Sequence, residues 1–183
     1  MMSNRIVERL IDGNRRYLSA EQNPGDVSPA LRRETAENGQ QPHSIVICCS
    51  DSRVVPESIF SAGLGELFVI RVAGNVLDAH QLGSIEYAAA HLGCQLVLVL
   101  GHSGCGAVGA ALSGHSDGYI RYITDEILRA VGEERAPDAA CRLNVLYAVE
   151  RIRAAFREHP EIPSGLDIRG AVYDIRSGEV AWL

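Results

Sequence analysis

The sequence lacks the features that would suit a nucleic-acid or membrane partner. Its 183 residues carry a formal net charge of −6, with acidic and basic residues interspersed, so no basic face is expected for a nucleic acid. The longest purely apolar run, Leu96 to Leu100, is far too short to cross a bilayer. The first twenty residues do not have the form of a signal peptide. We therefore expect a cytoplasmic protein that binds neither nucleic acid nor membrane.

The chain also lacks the cysteine pattern of a disulfide-linked protein. It has five cysteines, an odd number, and no export signal. These cysteines are therefore expected to be buried free thiols, metal ligands or a nucleophile. They are Cys48, Cys49, Cys94, Cys105 and Cys141.

Strand-like and helix-like segments alternate along the chain, which predicts a single α/β domain over residues 1–183. An N-terminal helical arm is predicted over residues 1–20, and a polar stretch follows to residue 42. Strands are predicted at 44–49, 66–74 and 95–101. The third is apolar at consecutive positions, as expected for a strand that is covered on both faces.

Helices are predicted between and after these strands. A capping box of Asp78 and Gln81 begins one helix that ends at Gly93. Another begins near Cys105, a third covers residues 119–135, and a fourth is capped by Asp138 and ends at residues 159–160. The C-terminal residues form a hairpin that turns at residues 177–178. The prediction is a mostly parallel β-sheet flanked by helices, with an added edge strand or hairpin at the C-terminus.

A G-x-G-x-x-G pattern formed by Gly104, Gly106 and Gly109 follows the third strand. In a dinucleotide-binding fold, this pattern is followed by a helix and then by a second strand that carries an acidic residue. Here residues 119–135 are helical in pattern, and no strand-like run returns until about Arg169. The pattern therefore does not predict a nucleotide site.

The same loop contains His102 and Cys105, and Cys49 lies at the end of the first strand. Because ligands collect at the carboxyl ends of parallel strands, these three side chains can surround one point. Two thiolates and an imidazole suit Zn²⁺, and three protein ligands leave the fourth position open, as in catalytic zinc sites. Strand alternation allows only one of Cys48 and Cys49 to face the site. Cys48 lies deeper in the strand and is interpreted as a core residue.

Asp51 and Arg53 lie two and four residues after Cys49. The Asp51 carboxylate could bind the open position, or it could accept a hydrogen bond from water there. Arg53 could orient this carboxylate and keep it ionised. The same residues are also good turn formers, so a simple surface turn is the alternative.

These residues together resemble the β-class carbonic anhydrases. The motif C-x-D-S-R is formed by Cys49–Arg53, and H-x-x-C-G is formed by His102–Gly106. The segments PESIF, GLGELFVIRVAGNV, LGSIEYA and VLGHSGCGAV are also similar, so the likeness runs from about Ser44 to Val108.

The resemblance implies a carbonate dehydratase that reversibly hydrates carbon dioxide to bicarbonate and a proton by zinc-bound hydroxide. It implies zinc ligation by Cys49, His102 and Cys105, with Asp51 as a possible fourth ligand in a closed form. Asp51 and Arg53 would form the acid–base pair. The Gly106 amide would lie near bound bicarbonate, and the protein would be a homodimer or a dimer of dimers.

The sequence departs from parts of the family pattern. Some members have an inhibitory bicarbonate site made of Trp, Arg and Tyr; Arg71 and Tyr173 could correspond to the last two, but Val46 replaces the Trp. Gly63 stands where other members have a substrate-binding Gln.

Two alternative functions use the same site. One is hydrolysis of carbonyl sulfide or carbon disulfide, and the other is non-catalytic zinc binding or bicarbonate sensing.

Overall fold

A five-stranded sheet forms the centre of the computed structural model, which describes residues 2–20, 25–162 and 165–183. The strand order is β2-β1-β3-β4-β5; the first four are parallel, and β5 is antiparallel to β4. The predicted fold class is therefore confirmed. The strands are β1 (Ser44–Cys48), β2 (Leu67–Arg71), β3 (Leu96–His102), β4 (Asp167–Tyr173) and β5 (Val180–Trp182).

Helices cover both faces of this sheet. Along β1, Ile45 and Ile47 pack into one apolar cluster, while Val46 and Cys48 pack into a second cluster on the opposite face. Every residue of β1 and β3 is buried, which is why these strands are apolar at consecutive positions. The helices are α1 (Met2–Ser19), α2 (Pro29–Asn38), α3 (Pro56–Ile59), α4 (Ala79–His91), α5 (Gly106–Leu112), α6 (Arg121–Val131) and α7 (Pro137–Phe156).

The helix-start signals in the sequence are confirmed in one case and corrected in another. At α4 the predicted capping box is present: the Asp78 carboxylate accepts the His80 N–H at 2.8 Å, and Gln81 Oε1 accepts the Asp78 N–H at 2.9 Å. At α7, however, the N-cap is Ala136 rather than Asp138. Pro137 takes the first helical position, where its fixed φ suits the helix, so Asp138 lies inside the first turn.

Two short helices lie outside the predicted elements. Helix α2 falls in the polar stretch 21–42, of which residues 21–24 are outside the described part of the chain. Its N-cap is Ser28, whose hydroxyl accepts the Leu31 N–H at 3.2 Å, and it buries no residue. Helix α3 is a single turn that begins at Pro56.

The N-terminal arm packs against its own chain. Leu10 is 1% exposed, and the Asn14 side-chain amide donates to the carbonyl oxygens of Ile59 at 3.2 Å and Gly178 at 2.9 Å. These bonds join α1 to α3 and to the turn between β4 and β5. In the part of the chain that the structure describes, no helix is long and apolar enough to cross a membrane.

Helix α7 lies so close to β3 that Gly101 has no space for a side chain. A Cβ atom at this position would lie 2.5 Å from Val145 Cγ2. We expect Gly101→Ala to lower the free energy of unfolding by about 1–3 kcal/mol through overpacking, and we expect the loss to shrink in a Val145→Ala background. Urea denaturation measures both values.

Gly109→Ala is the matched control for that prediction. A Cβ at Gly109 meets nothing within 4 Å, and the residue lies inside α5. Alanine should be neutral there or stabilising by up to about 1 kcal/mol, because it favours the helix. Equal losses at both glycines would contradict close packing as the cause.

Candidate metal centre

Three side chains that could bind a metal converge where β1 and β3 end. Cys49 directly follows β1, His102 is the last residue of β3, and Cys105 is the N-cap of α5. Because β1 and β3 are neighbouring parallel strands, their carboxyl ends lie side by side. One sulfur or nitrogen atom from each residue lies within 4.8 Å of the other two, and all three residues are buried. The structure therefore brings together the three residues that the sequence selects as candidate ligands.

The imidazole of His102 has one nitrogen free for a metal. Nδ1 lies 3.0 Å from the carbonyl oxygen of Ser103, and since a carbonyl only accepts, Nδ1 carries the hydrogen. Nε2 is then a lone-pair acceptor. It is buried and has no hydrogen-bond partner among the described residues. A buried polar atom without a partner costs free energy, and a metal ion would satisfy it.

The two thiols of the cluster also fit a cation. Cys49 Sγ and Cys105 Sγ are 4.0 Å apart. A hydrogen bond from the Cys105 thiol holds the pKa of the Cys49 thiol well below its ordinary value. The Gly74 N–H, 3.3 Å from Cys49 Sγ, acts in the same direction. The same contact, together with burial, raises the pKa of Cys105, and this outweighs the helix amides of Ala107 and Val108.

Two sulfur atoms this close share one proton unless a cation lies between them. Two thiolates with a neutral imidazole are a donor set that Zn²⁺ accepts in tetrahedral sites, with one position left open. The residues present therefore fit zinc. Cys48 is not part of this cluster: it is fully buried in the core, and burial raises its pKa to about 12. The interpretation of Cys48 as a core residue is confirmed.

Asp51 and Arg53 form a two-pronged ion pair beside the cluster. Arg53 Nε lies 2.9 Å from Asp51 Oδ1, and Arg53 Nη2 lies 2.8 Å from Oδ2. The Arg53 N–H also donates to Oδ1 at 3.0 Å. These bonds hold the pKa of the Asp51 carboxyl far below its ordinary range. In this arrangement Asp51 is oriented by Arg53, and it is not one of the residues in the described chain whose ligand atoms come together.

Gly106, the predicted substrate-binding residue, is the first residue of α5 and is exposed. A Cβ atom at Gly106 would meet nothing within 4 Å, so no described atom crowds that side of the helix start. Gly104 takes φ +64°, which turns the chain between His102 and Cys105. A cavity of about 780 Å³ opens next to this loop and is lined in part by Arg53, Gly104 and Cys141.

Arg71 supports the loop that carries Cys49 and Asp51. Its Nη2 donates to the Asp51 carbonyl at 2.8 Å, and its Nε lies 3.4 Å from the Cys49 carbonyl. Sequence reasoning considered Arg71 only as part of an inhibitory bicarbonate site. At the other two positions of that set, Val46 stands in place of Trp and is fully buried, and the Tyr173 hydroxyl lies 3.1 Å from the Tyr17 hydroxyl.

Comparison with known proteins agrees with this geometry. The family model described as carbonic anhydrase matches residues 44–180. The solved structures that the chain resembles include β-carbonic anhydrases.

The chain belongs to the β-carbonic anhydrase family.

Relatives and solved structures of this family cover most of the chain. Carbonic anhydrase 2 of Mycobacterium tuberculosis is 42% identical over 127 residues, which is 67% of this chain; the chain spans 61% of that relative's length. The Coccomyxa β-carbonic anhydrase in complex with acetazolamide is 29% identical, with a TM-score of 0.70 and coverage of 86% of both chains. One of two tetrameric β-carbonic anhydrases from Sordaria macrospora is 30% identical, with a TM-score of 0.63 and coverage of 85% of this chain and 87% of that one.

Proposed function

We propose that this protein catalyses the reversible hydration of carbon dioxide to bicarbonate and a proton, with zinc bound by Cys49, His102 and Cys105. The observation that carries the proposal is the convergence of one ligand atom from each of these three buried residues within 4.8 Å, together with a buried His102 Nε2 that has no hydrogen-bond partner among the described residues. Zinc bound here supplies Lewis-acid chemistry, lowering the pKa of water toward neutrality so that hydroxide is available.

The residues around the ligands have distinct roles in this proposal. Asp51 stays ionised because Arg53 donates two side-chain hydrogen bonds to it, and the carboxylate orients the reacting water by accepting its hydrogen bond. Arg71 holds the loop that carries Asp51. The Gly106 N–H, at the positive end of α5, donates to an oxygen of bicarbonate. Carbon dioxide itself needs only a small space beside these groups, because it is nearly apolar.

The proposal includes a homodimer or a dimer of dimers in the cytoplasm. The tetrameric Sordaria enzymes support assembly. So do three strongly exposed hydrophobic side chains in and just before the first turn of α6, where Tyr119 is 88%, Tyr122 61% and Ile120 52% exposed. All five cysteines are free thiols, which suits a reducing compartment.

The experiment that tests the function is stopped-flow carbon dioxide hydration at mildly alkaline pH. We expect fast turnover by the zinc-loaded protein, loss of turnover after chelation, and recovery when zinc is added back. Because a relative binds acetazolamide, we also expect this compound to inhibit the hydration reaction.

Folded, zinc-containing protein without hydration activity would contradict the proposal. Hydrolysis of carbonyl sulfide or carbon disulfide by that protein would then assign the site to the sulfur analogues. No hydrolysis of any of the three substrates would leave a non-catalytic zinc protein.

A further inference from the structure

We propose that Asn144 is a positioning residue for the metal centre, and that it acts through the backbone of Gly74 on the ligand sulfur of Cys49. Asn144 lies on α7, outside both ligand-bearing strand ends and outside the motifs that the sequence analysis selected. The inference rests on the proposed function, because it takes Cys49 as a zinc ligand.

Two hydrogen bonds connect Asn144 to Cys49. Asn144 Nδ2 donates to the carbonyl oxygen of Gly74 at 2.7 Å, and the Gly74 N–H lies 3.3 Å from Cys49 Sγ and donates to it. Both bonds are buried. Because φ and ψ of Gly74 fix the two peptide groups relative to each other, holding the carbonyl also fixes the direction of the N–H.

Gly74 is tightly enclosed but has no side chain with which to anchor itself. It lies in a single 3₁₀ turn, Ala73–Asn75, and takes φ +67°, a conformation that favours glycine. A Cβ atom there would lie 2.8 Å from Ile127 Cδ1 and 3.1 Å from Ala107 Cβ. Neighbouring helices thus restrict where the turn can lie, and Asn144 provides the directional contact that orients its peptide groups.

Asn144 is an unusual residue for its position. It is 3% exposed and lies on the buried side of α7, where its neighbours Cys141, Val145 and Ala148 are apolar. Burying an amide among such residues costs free energy unless the amide is hydrogen-bonded. An apolar side chain would suit this helix face better. The hydrogen bond to the Gly74 carbonyl is therefore the interaction that explains an asparagine here.

An N–H directed at a zinc-bound thiolate stabilises its charge and fixes the orientation of the sulfur atom. Contacts of this outer kind usually change metal affinity or activity by about 10- to 100-fold when they are removed. Asn144 acts one bond further out, so its effect reaches the metal only through the direction of the Gly74 N–H. A positioning role therefore predicts weaker zinc binding, whereas a purely structural role predicts only lower stability.

The test is the variant Asn144→Leu, which is close in shape but has no donor. We expect the zinc dissociation constant, measured by competition with a chromophoric chelator, to rise about 10-fold, the lower end of the range for direct outer contacts. In the cobalt(II)-substituted protein we expect the thiolate-to-cobalt charge-transfer band to weaken or shift. Asn144→Ser keeps a smaller polar residue in place, so it serves as the second variant, with the same direction expected.

Thr124→Val is the matched control. Thr124 is 1% exposed, and its hydroxyl donates to the Ile120 carbonyl at 3.3 Å inside α6, so the change also removes a buried side-chain hydrogen bond. It should leave zinc affinity within about twofold of wild type, with an unchanged cobalt spectrum.

The outcomes separate this inference from the proposed function. If wild type binds one zinc ion, Cys49→Ser loses it, and both Asn144 variants keep wild-type affinity and spectrum, only the role of Asn144 is overturned. If wild type binds no zinc, or Cys49→Ser binds it normally, the ligand assignment fails and the inference fails with it. Equal weakening by Thr124→Val would also overturn it, since the effect would then be a general loss of packing.

Discussion

The variant His102→Ala is expected to lose zinc and carbon dioxide hydration together. His102 provides the only nitrogen of the ligand cluster, and its Nε2 is buried without a partner in the described chain. Alanine would leave two sulfur atoms 4.0 Å apart with no third protein ligand at that point. Since the loss of an outer-shell contact alone costs about 10- to 100-fold in affinity, the loss of a ligand should weaken zinc binding by more than about 100-fold.

Zinc content per chain and stopped-flow hydration rate are measured on the same preparation. The control is His43→Ala, which removes a half-buried histidine that bonds Ser44 Oγ through Nδ1 at 2.8 Å and lies outside the ligand cluster. This control should keep one zinc ion per chain. A folded His102→Ala protein that retained stoichiometric zinc and turnover would remove His102 from the ligand set.

The parallel sheet could be predicted from sequence because its strands are buried on both faces. Runs such as 45–48 and 96–100 are apolar at every position, and the capping box of Asp78 and Gln81 is a local signal that needs no tertiary context. Helix α2 buries no residue, so no hydrophobic period was present to reveal it. The start of α7 was placed wrongly because Asp138 has good capping chemistry, while the preceding Pro137 already begins the helix.

The inner part of the candidate site was accessible to sequence reasoning, but its supporting contacts were not. Cys49 and the His102–Cys105 segment follow two predicted strands, so the rule that ligands gather at strand ends was enough to bring them together. The contact from Asn144 to Gly74 joins residues 70 positions apart and depends on how α7 packs over the turn. No local pattern encodes that contact. The bonds from Arg71 to the Asp51 loop were missed for the same reason.

The variant Asp51→Asn is expected to keep zinc and lose most of its turnover. In this structure Asp51 bonds to Arg53 and lies outside the described cluster of ligand atoms, so zinc binding does not require its charge. Asparagine has nearly the same shape but only one acceptor oxygen, and its NH₂ group would face a guanidinium N–H, so the two-pronged pair breaks. A neutral amide is also a much weaker proton acceptor than the carboxylate. We expect kcat to fall by about 100-fold or more, the usual range for a lost acid–base group.

The chain contains a matched control for this prediction in Asp167 and Arg169. This pair has the same two-residue spacing, with Arg169 Nε 2.8 Å from Asp167 Oδ1 and 3.0 Å from Oδ2. Asp167 pairs with Leu96 at the opposite end of the sheet from His102, so Asp167→Asn breaks an ion pair of the same spacing, made through Arg169 Nε alone, far from the ligands. It should leave both kcat and zinc content at wild-type values. If Asp51→Asn behaved like this control, Asp51 would have no part in the reaction, and Arg53 would then orient only a surface turn. A large drop in kcat in Asp51→Asn but not in Asp167→Asn, with one zinc ion still bound, would show that the proton acceptor is distinct from the residues that bind the metal.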